Sequence, residues 1–361
     1  MGCANTKRLQ VSYMRKSLLL IFFLCFFLLS LLNGWPEGFQ TLTAINPFTN
    51  CSRGGRNVTI LVWYWPFGRS FTLKGDMCWD RFQIPHCRLS DKRSMFPLAD
   101  VVVFHSQELL LGQQKLPSDL PRPQGQRWAW MSLEAPPNET NLHQFAHLFN
   151  MTVTYRRDAD VTVPYGEVQP KEDGDVEEVP QNKSSLVCWV VSNYNTQHRR
   201  SQVYKNLTET IPVKVYGRWA RKPLTSRSLL HTISCCYFYL AFENSGSKDY
   251  ITEKLWRNAY QGGAVPVVMG PPLDDYKAVA PPKSFIHVDE FSSVKELGNY
   301  LQQLAEDKER YREYFTWKQK WRVKLHTDWR ERLCRICLQY DCLPQHKVYS
   351  DLAAWANPVS T

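Results

Sequence analysis

The chain has 361 residues, 43% hydrophobic and 13% aromatic, enough to bury the core of one large or two medium domains. Charged residues make up 22%, which excludes a disordered polyelectrolyte, and the composition also excludes collagen, coiled coils and multi-spanning membrane proteins. Lys+Arg 44 against Asp+Glu 34 leaves +10 and favours anionic partners; the basic residues are scattered, so nucleic acid is not expected.

Residues 18–32 read LLLIFFLCFFLLSLL, an uncharged apolar run. Lys7, Arg8, Arg15 and Lys16 precede it, and the next basic residue is Arg53. Positive charge stays inside, so the run predicts a cytosolic tail at 1–16, a transmembrane signal anchor at 17–35 and a lumenal body. No small-x-small site follows, which weighs against a cleaved signal peptide. Residues 36–56, rich in Pro, Gly, Asn and Thr, read as a stem. Six N-x-S/T sites lie beyond the anchor, at Asn50, Asn57, Asn138, Asn150, Asn182 and Asn206, and mark N-glycosylation. Of 11 cysteines, Cys3 and Cys25 precede or fall within the anchor, and the other nine face an oxidising lumen where disulfides outweigh zinc. Nine is odd, so one stays free or links two chains as a homodimer.

From Asn57 the run VTILVWYW predicts a buried strand, followed by further strands at 99–104, 128–133 and 153–163. Residues 57–165 form the first α/β domain, and the acidic, Pro-bearing stretch 166–184 reads as a linker. Residues 185–340 then alternate strand and helix. SLVCWVVSN, VKVYG, CYFYLAFEN, AVPVVMG and SFIHV are strands. A helix reaches about Thr210, DYITEKLWRNAYQGG reads as another, and Ser293-x-x-Glu296 is a capping box opening a third. Residues 341–361 form a tail packing back on the body. The fold class is therefore α/β, with parallel doubly wound sheets in two domains facing a cleft.

No G-x-G-x-x-G, Walker, H-E-x-x-H or G-x-S-x-G motif is present, which excludes dinucleotide oxidoreductases, P-loop enzymes and the commonest hydrolases. Residues 242–254, FENSGSKDYITEK, sit where a strand ends and a helix begins, the place where open α/β sheets bind ligands. The helix start offers N–H groups to a diphosphate, and Lys254 adds a charge. Tyr250 could bond a phosphate or stack, and Glu253 could accept from sugar hydroxyls; an ordinary capped helix with solvated charges is the alternative. Arg200, beyond the strand ending Ser192-Asn193, is a candidate diphosphate grip or half of a solvated pair with Arg199. Glu134, closing WAWMSLE, is a candidate general base or a surface turn glutamate. Asp158-x-Asp160 has the form of a metal-diphosphate motif, but Arg156-Arg157 before it favours a structural ion pair.

FENSGSKDYITEK resembles the donor-binding signature of the α-(1,3)-fucosyltransferases. ILVWYWPFG, VVFH, WAWMSLEAP, YRRDADVTVPYG, LVCWVVSN, GAVPVVMGPP, FIHVDEF and TDWRERLCRIC look like blocks of the same family, in family order, over residues 57–352. YGRWARKPL and the terminal block look closest to the member that makes sialyl Lewis x. The resemblance implies a GT-B fold of two Rossmann-like domains, acceptor side first, held at a Golgi membrane. It implies inverting transfer of L-fucose from GDP-β-L-fucose to the 3-hydroxyl of GlcNAc in Galβ1-4GlcNAc on glycoproteins and glycolipids. Glu134 would be the base, with Arg200 and Lys254 stabilising the leaving diphosphate. Tyr165, Val190, Ser192, Asn193, Tyr239, Asn244, Tyr250 and Glu253 would line the donor site. Arg69 would meet the acceptor, its cation suiting a sialylated one. No cofactor is required and no metal site is expected; a divalent ion would at most stimulate. The resemblance also suggests the disulfides Cys78–Cys334, Cys87–Cys337 and Cys188–Cys236, with local pairing of Cys78 with Cys87 and Cys334 with Cys337 left open. Cys51, Cys235 and Cys342 depart from the pattern. Two other readings compete: an inactive lumenal glycan-binding protein, and a GT-A enzyme using manganese through Asp158 and Asp160.

Overall fold

In the first half, near-continuous apolar runs form the central strands, buried on both faces, and a short, partly exposed strand forms one edge. β1 (Val58–Val62), β2 (Cys87–Ser90), β3 (Val101–His105), β4 (Arg127–Ser132), β5 (Met151–Thr154) and β6 (Val161–Thr162) pair in parallel in the order β2-β1-β3-β4-β5-β6. The computed structural model describes residues 55–172 and 182–357; the tail, the anchor, Asn50 and nearly all of the stem lie outside these residues. No helix among the described residues is long and apolar enough to cross a membrane.

Strand periodicity divides the first sheet's core. Val101 and Val103 pack to one side with Ile60, Met131 and Val153, while Val102 and Phe104 pack to the other with Trp128, Trp130 and Phe149. The expected 153–163 strand is interrupted: β5 ends at Thr154 and β6 begins at Val161, leaving Arg156, Arg157, Asp158 and Asp160 on the connection. Both outer faces are closed by the end of the chain. The helix Trp329–Gln339 brings Leu333, Cys334 and Ile336 onto one face, and Leu352–Ala356 covers the other. Cys78 is joined to Cys334 and Cys87 to Cys337, so the covalent links fasten that helix to the first sheet.

β7 (Gly166–Pro170) occupies the start of the expected linker, because its backbone finds a partner 150 residues later: it pairs antiparallel with β13 (Trp321–Leu325). Between them β8 (Ser185–Val190), β9 (Val213–Tyr216), β10 (Cys236–Phe242), β11 (Val265–Met269) and β12 (Ile286–His287) form a parallel sheet ordered β12-β11-β10-β8-β9. Cys188 and Cys236 tie β8 to β10. Ser293 caps the helix Val294–Glu306 through Glu296 N–H, but the Glu296 carboxylate reaches Ser292 instead of Ser293, so only half of the expected box forms. Leu297, Leu301 and Leu304 of that helix pack under β8, β10 and β11.

Both parallel sheets share one winding: each begins at a central strand, adds the second on one side and the rest on the other. The chain therefore reverses direction between β1 and β3, and again between β8 and β10, and ligands bind outside the strand carboxyl ends at such points. Gly217, just beyond β9, packs against the backbone at the end of β8. It has φ 99°, and a Cβ there would stand 2.2 Å from the Val191 carbonyl oxygen at the end of β8. Gly217→Ala should destabilise the protein by about 2 kcal/mol or more, read from a urea denaturation midpoint.

Candidate active site

The site assembles where β4 from the first sheet and β8 and β10 from the second end. Glu134 follows β4 and is exposed, yet one of its carboxylate oxygens is fully engaged. Glu134 Oε1 accepts from Ala135 N–H (2.9 Å), from Asn138 Nδ2 (2.9 Å) and from Tyr250 O–H (2.8 Å). Oε2 accepts no hydrogen bond among the described residues. One oxygen is thus held by three donors and the other faces outward, the arrangement a general base needs.

The scaffold behind it is polar and buried. Glu134 N–H donates to Ser132 Oγ (3.2 Å), whose hydroxyl donates to Glu139 Oε1 (2.6 Å); Ser106 also bonds Glu139. Burial pushes the Glu139 carboxyl up to about 7, against the two serine bonds and with repulsion from Glu134 adding to the rise. Next to Ser106, His105 Nδ1 meets Glu108 Oε2 at 2.5 Å, and Glu108 Oε1 accepts from Phe67 N–H at 2.6 Å. Phe67 is left-handed at φ 56°, is 56% exposed, and sets its ring against His105 and Trp329. Sequence reasoning missed this chain of contacts. The positions carry ordinary residue types, and only pairing of β1, β3 and β4 brings them together.

Residues 243–254 form a clasp. Glu243 is fully buried, and its carboxylate accepts from Thr252 N–H (2.8 Å), Thr252 Oγ1 (2.9 Å) and Lys254 Nζ (2.8 Å). Lys254 also bonds Thr252 Oγ1 (2.7 Å) and lies 3.5 Å from Glu253. Burial alone would lower its affinity for the proton, but Glu243 and Glu253 together raise it, so Lys254 is charged. The helix expected from Asp249 begins only at Lys254, as a wide π-type turn over Lys254–Gln261. Ahead of it, the N–H groups of Thr252 and Asp249 are taken by Glu243 and Asp275.

Arg200 is a cation with an unmatched nitrogen. It is 6% exposed, donates to the Asn193 carbonyl, and its Nε has no partner in a buried setting; Asn244 Oδ1 is orphaned likewise. Burial lowers its pKa, opposed by the nearby Glu243. Val190, Ser192 and Asn193 continue from β8 beside it, Ser192 and Asn193 exposed. Tyr165 is the hub between the halves. Its O–H donates to the Leu133 carbonyl (2.5 Å), and it feels Glu253, Lys254, Glu134 and Arg332. Arg332, pushed down to about 10 by burial, sits beneath that ring with its own Nε unpaired, and was not anticipated.

Three expected residues fall elsewhere or act differently. Tyr239 is wholly buried, its hydroxyl accepting from Asn258 Nδ2 (3.1 Å), because its side of β10 faces the second sheet's inner core; it supports the clasp without lining the crevice. Arg69 lies on an exposed loop, with no side-chain bond joining it to Glu134. Tyr250 is committed to Glu134 and packs on Tyr155 and Tyr165.

The Asp158–Asp160 pair is also rearranged. Arg156 binds Asp158 through both of its edges (2.8 Å each), while Asp160 accepts from Lys347 (2.6 Å), Tyr349 (2.7 Å) and Thr152 N–H (2.9 Å). The two carboxylates turn to different cations, so this donor set does not fit a shared metal ion. Arg157 spans to the second half, donating to Asp249 (2.6 Å) and Asp275 (2.9 Å). The sulfurs of Cys78, Cys87 and Cys334 lie close together, but they are disulfide-bonded. Cys342 is also disulfide-bonded, and Cys235 is the free cysteine among the described residues.

The pattern described as "Glycosyltransferase family 10 (fucosyltransferase) C-term" matches residues 180–355, and "Fucosyltransferase, N-terminal" matches residues 55–166. The chain is 47% identical over 299 residues to Alpha-(1,3)-fucosyltransferase 7 of Mus musculus, covering 82% of this chain and 75% of that protein. It is 39% identical to 4-galactosyl-N-acetylglucosaminide 3-alpha-L-fucosyltransferase 9 of Bos taurus, covering 90% of each. A solved α1,3-fucosyltransferase with GDP-fucose aligns at TM-score 0.47 and 19% identity, over 74% of this chain and 83% of that one. The chain belongs to glycosyltransferase family 10, the fucosyltransferases. The protein is therefore an enzyme.

Two outcomes test the scaffold. The raised Glu139 pKa means that the folded state holds its proton more tightly. That stability is complete below about 4.5 and is lost as pH rises to about 7. Glu139→Gln, which does not titrate, should match wild type near pH 4.5 and exceed it by up to about 3 kcal/mol above pH 7, read from urea midpoints. Arg157→Ala strands two buried carboxylates; because the guanidinium is 37% exposed, screening reduces the loss to about 1–3 kcal/mol.

Proposed function

We propose that this fucosyltransferase is an inverting α-(1,3)-fucosyltransferase of GT-B arrangement. The donor is GDP-β-L-fucose, bound at the β8/β10 crevice, and the acceptor is the 3-hydroxyl of GlcNAc in Galβ1-4GlcNAc glycans, presented from the first sheet. The observation that carries this reading is Tyr250 of the clasp, which bonds Glu134 Oε1, leaving Oε2 without a partner among the described residues, and also acts electrostatically on the buried Arg200, whose Nε is unpaired. In the reaction Glu134 Oε2 takes the proton of the acceptor hydroxyl while that oxygen bonds the anomeric carbon. The bond from that carbon to the diphosphate oxygen breaks, and the electron pair leaves with GDP. Arg200 neutralises the leaving group, and Lys254 holds the clasp in shape and adds positive potential. Protein cations supply this charge, so no metal is required by the residues present.

The preference for α2,3-sialylated acceptors, giving sialyl Lewis x structures, belongs to the same proposal; its support is the likeness to relatives named fucosyltransferase 7. So does a single-pass Golgi membrane location with a lumenal body, supported by the apolar run at 18–32 and by disulfides such as Cys78–Cys334, Cys87–Cys337 and Cys188–Cys236.

The test incubates detergent-solubilised full-length protein with GDP-fucose, EDTA, and competing sialylated and unsialylated N-acetyllactosamine. Fucose should appear on the sialylated acceptor, and Glu134→Gln should lower kcat about 10²–10⁴-fold. Transfer to both acceptors discards the sialyl preference and keeps the rest. Activity lost in EDTA and restored by manganese favours a metal-dependent enzyme. GDP binding without transfer to either acceptor favours a glycan-binding role.

A further inference from the structure

The N-glycosylation sequons differ in what their amides do once the chain is folded. Asn57, Asn182 and Asn206 are exposed, and their amide nitrogens make no hydrogen bond among the described residues. Asn150 is engaged in packing: Nδ2 donates to the Lys347 carbonyl (3.0 Å), and Oδ1 accepts from Trp128 N–H (2.9 Å). Asn138 is unlike all of these. Its Nδ2 donates at 2.9 Å to Oε1 of Glu134, the oxygen already held by Ala135 N–H and Tyr250 O–H. Beside a carboxylate the amide must present nitrogen, because its oxygen would be repelled.

We infer that Asn138 is a positioning residue for Glu134, and that the sequon Asn138-Glu139-Thr140 is a modification site whose N-glycosylation silences the enzyme. The inference rests on Glu134 being the base of the proposed transfer. Glycosylation from a lipid-linked oligosaccharide diphosphate forms a bond between Nδ2 and the sugar anomeric carbon. It breaks that carbon's bond to the diphosphate and releases an amide proton. The nitrogen that braces Glu134 then carries a bulky glycan beside the catalytic carboxylate. Asn138 is exposed, so a folded chain can accommodate that glycan; the acceptor's approach to Oε2 is what it obstructs. Glu139, the middle residue of the sequon, is buried in the scaffold of the same base, so this turn is built around Glu134.

The experiment uses the full-length protein from glycosylating cells, with occupancy of each sequon read by peptide mass spectrometry and kcat and KM measured for donor and acceptor. Thr140→Ala removes the sequon without touching the Asn138–Glu134 bond. If only unmodified molecules turn over, the wild-type kcat divided by that of Thr140→Ala equals the unoccupied fraction at Asn138. Asn138→Ala should lower kcat about tenfold with both KM values within twofold of wild type, and Asn138→Gln, which keeps an amide but not the sequon, should recover part of that loss. Substantial Asn138 occupancy with kcat equal to that of Thr140→Ala overturns the silencing. An unchanged kcat in Asn138→Ala overturns the positioning role. Failure of the fucosyl-transfer reading shows separately, as no transfer by any of these proteins, wild type and Thr140→Ala included, and removes the inference with it.

Discussion

Arg157 holds two buried carboxylates, Asp249 and Asp275, and the placement of the reacting groups depends on that triad. Asp249 is in the left-handed region at φ 60°, at the turn of the 243–254 clasp, and its N–H is taken by Asp275. Without the guanidinium, two adjacent carboxylates would sit in a poorly solvated setting with only backbone donors. With it, the clasp of the second sheet is fastened to the β5–β6 connection of the first, and the next residue, Tyr250, reaches Glu134. One charged contact thus sets the clasp where its Tyr250 meets Glu134.

The same logic organises the rest of the crevice. Glu243 occupies the start of the π-type helix and consumes Thr252 and Lys254, so the clasp is rigid and its charges are mostly matched. Arg200, by contrast, keeps an unmatched nitrogen in a buried setting. A buried donor without a partner is costly. The geometry therefore separates Lys254, whose charge is matched within the clasp, from Arg200, whose Nε is left without a partner. Equal treatment of the two from residue type alone would have blurred this.

Stability and chemistry are also joined through the end of the chain. The helix Trp329–Gln339 packs on the first sheet, is held there by two disulfides, and delivers Arg332 beneath Tyr165. Tyr349 and Lys347 satisfy Asp160, and the carbonyls of Trp355 and Ala356 accept from Arg156. The final residues thereby fix both sides of the connection that carries Arg157.

Most strands of both parallel sheets were readable in the linear chain because burial on two faces demands unbroken apolar runs, as in VVVF and CYFYLAF; β2, the short edge strand Cys87–Ser90, lacks such a run and was not expected. The positions of Glu134, Arg200 and Lys254 beyond strand ends were readable too, since each closes or follows such a strand. Pairings over long separations were not. Arg157 was expected beside Asp158 and bonds partners 92 and 118 residues away; Tyr239 was expected in the crevice and lies in the core; β7 was expected as linker and found β13. The sequence by itself determined the elements and their chemistry, because hydrophobic period and residue type are local properties. Only the tertiary structure decided which cation meets which carboxylate and which oxygen of Glu134 remains free, because those depend on distances that packing of the two sheets sets.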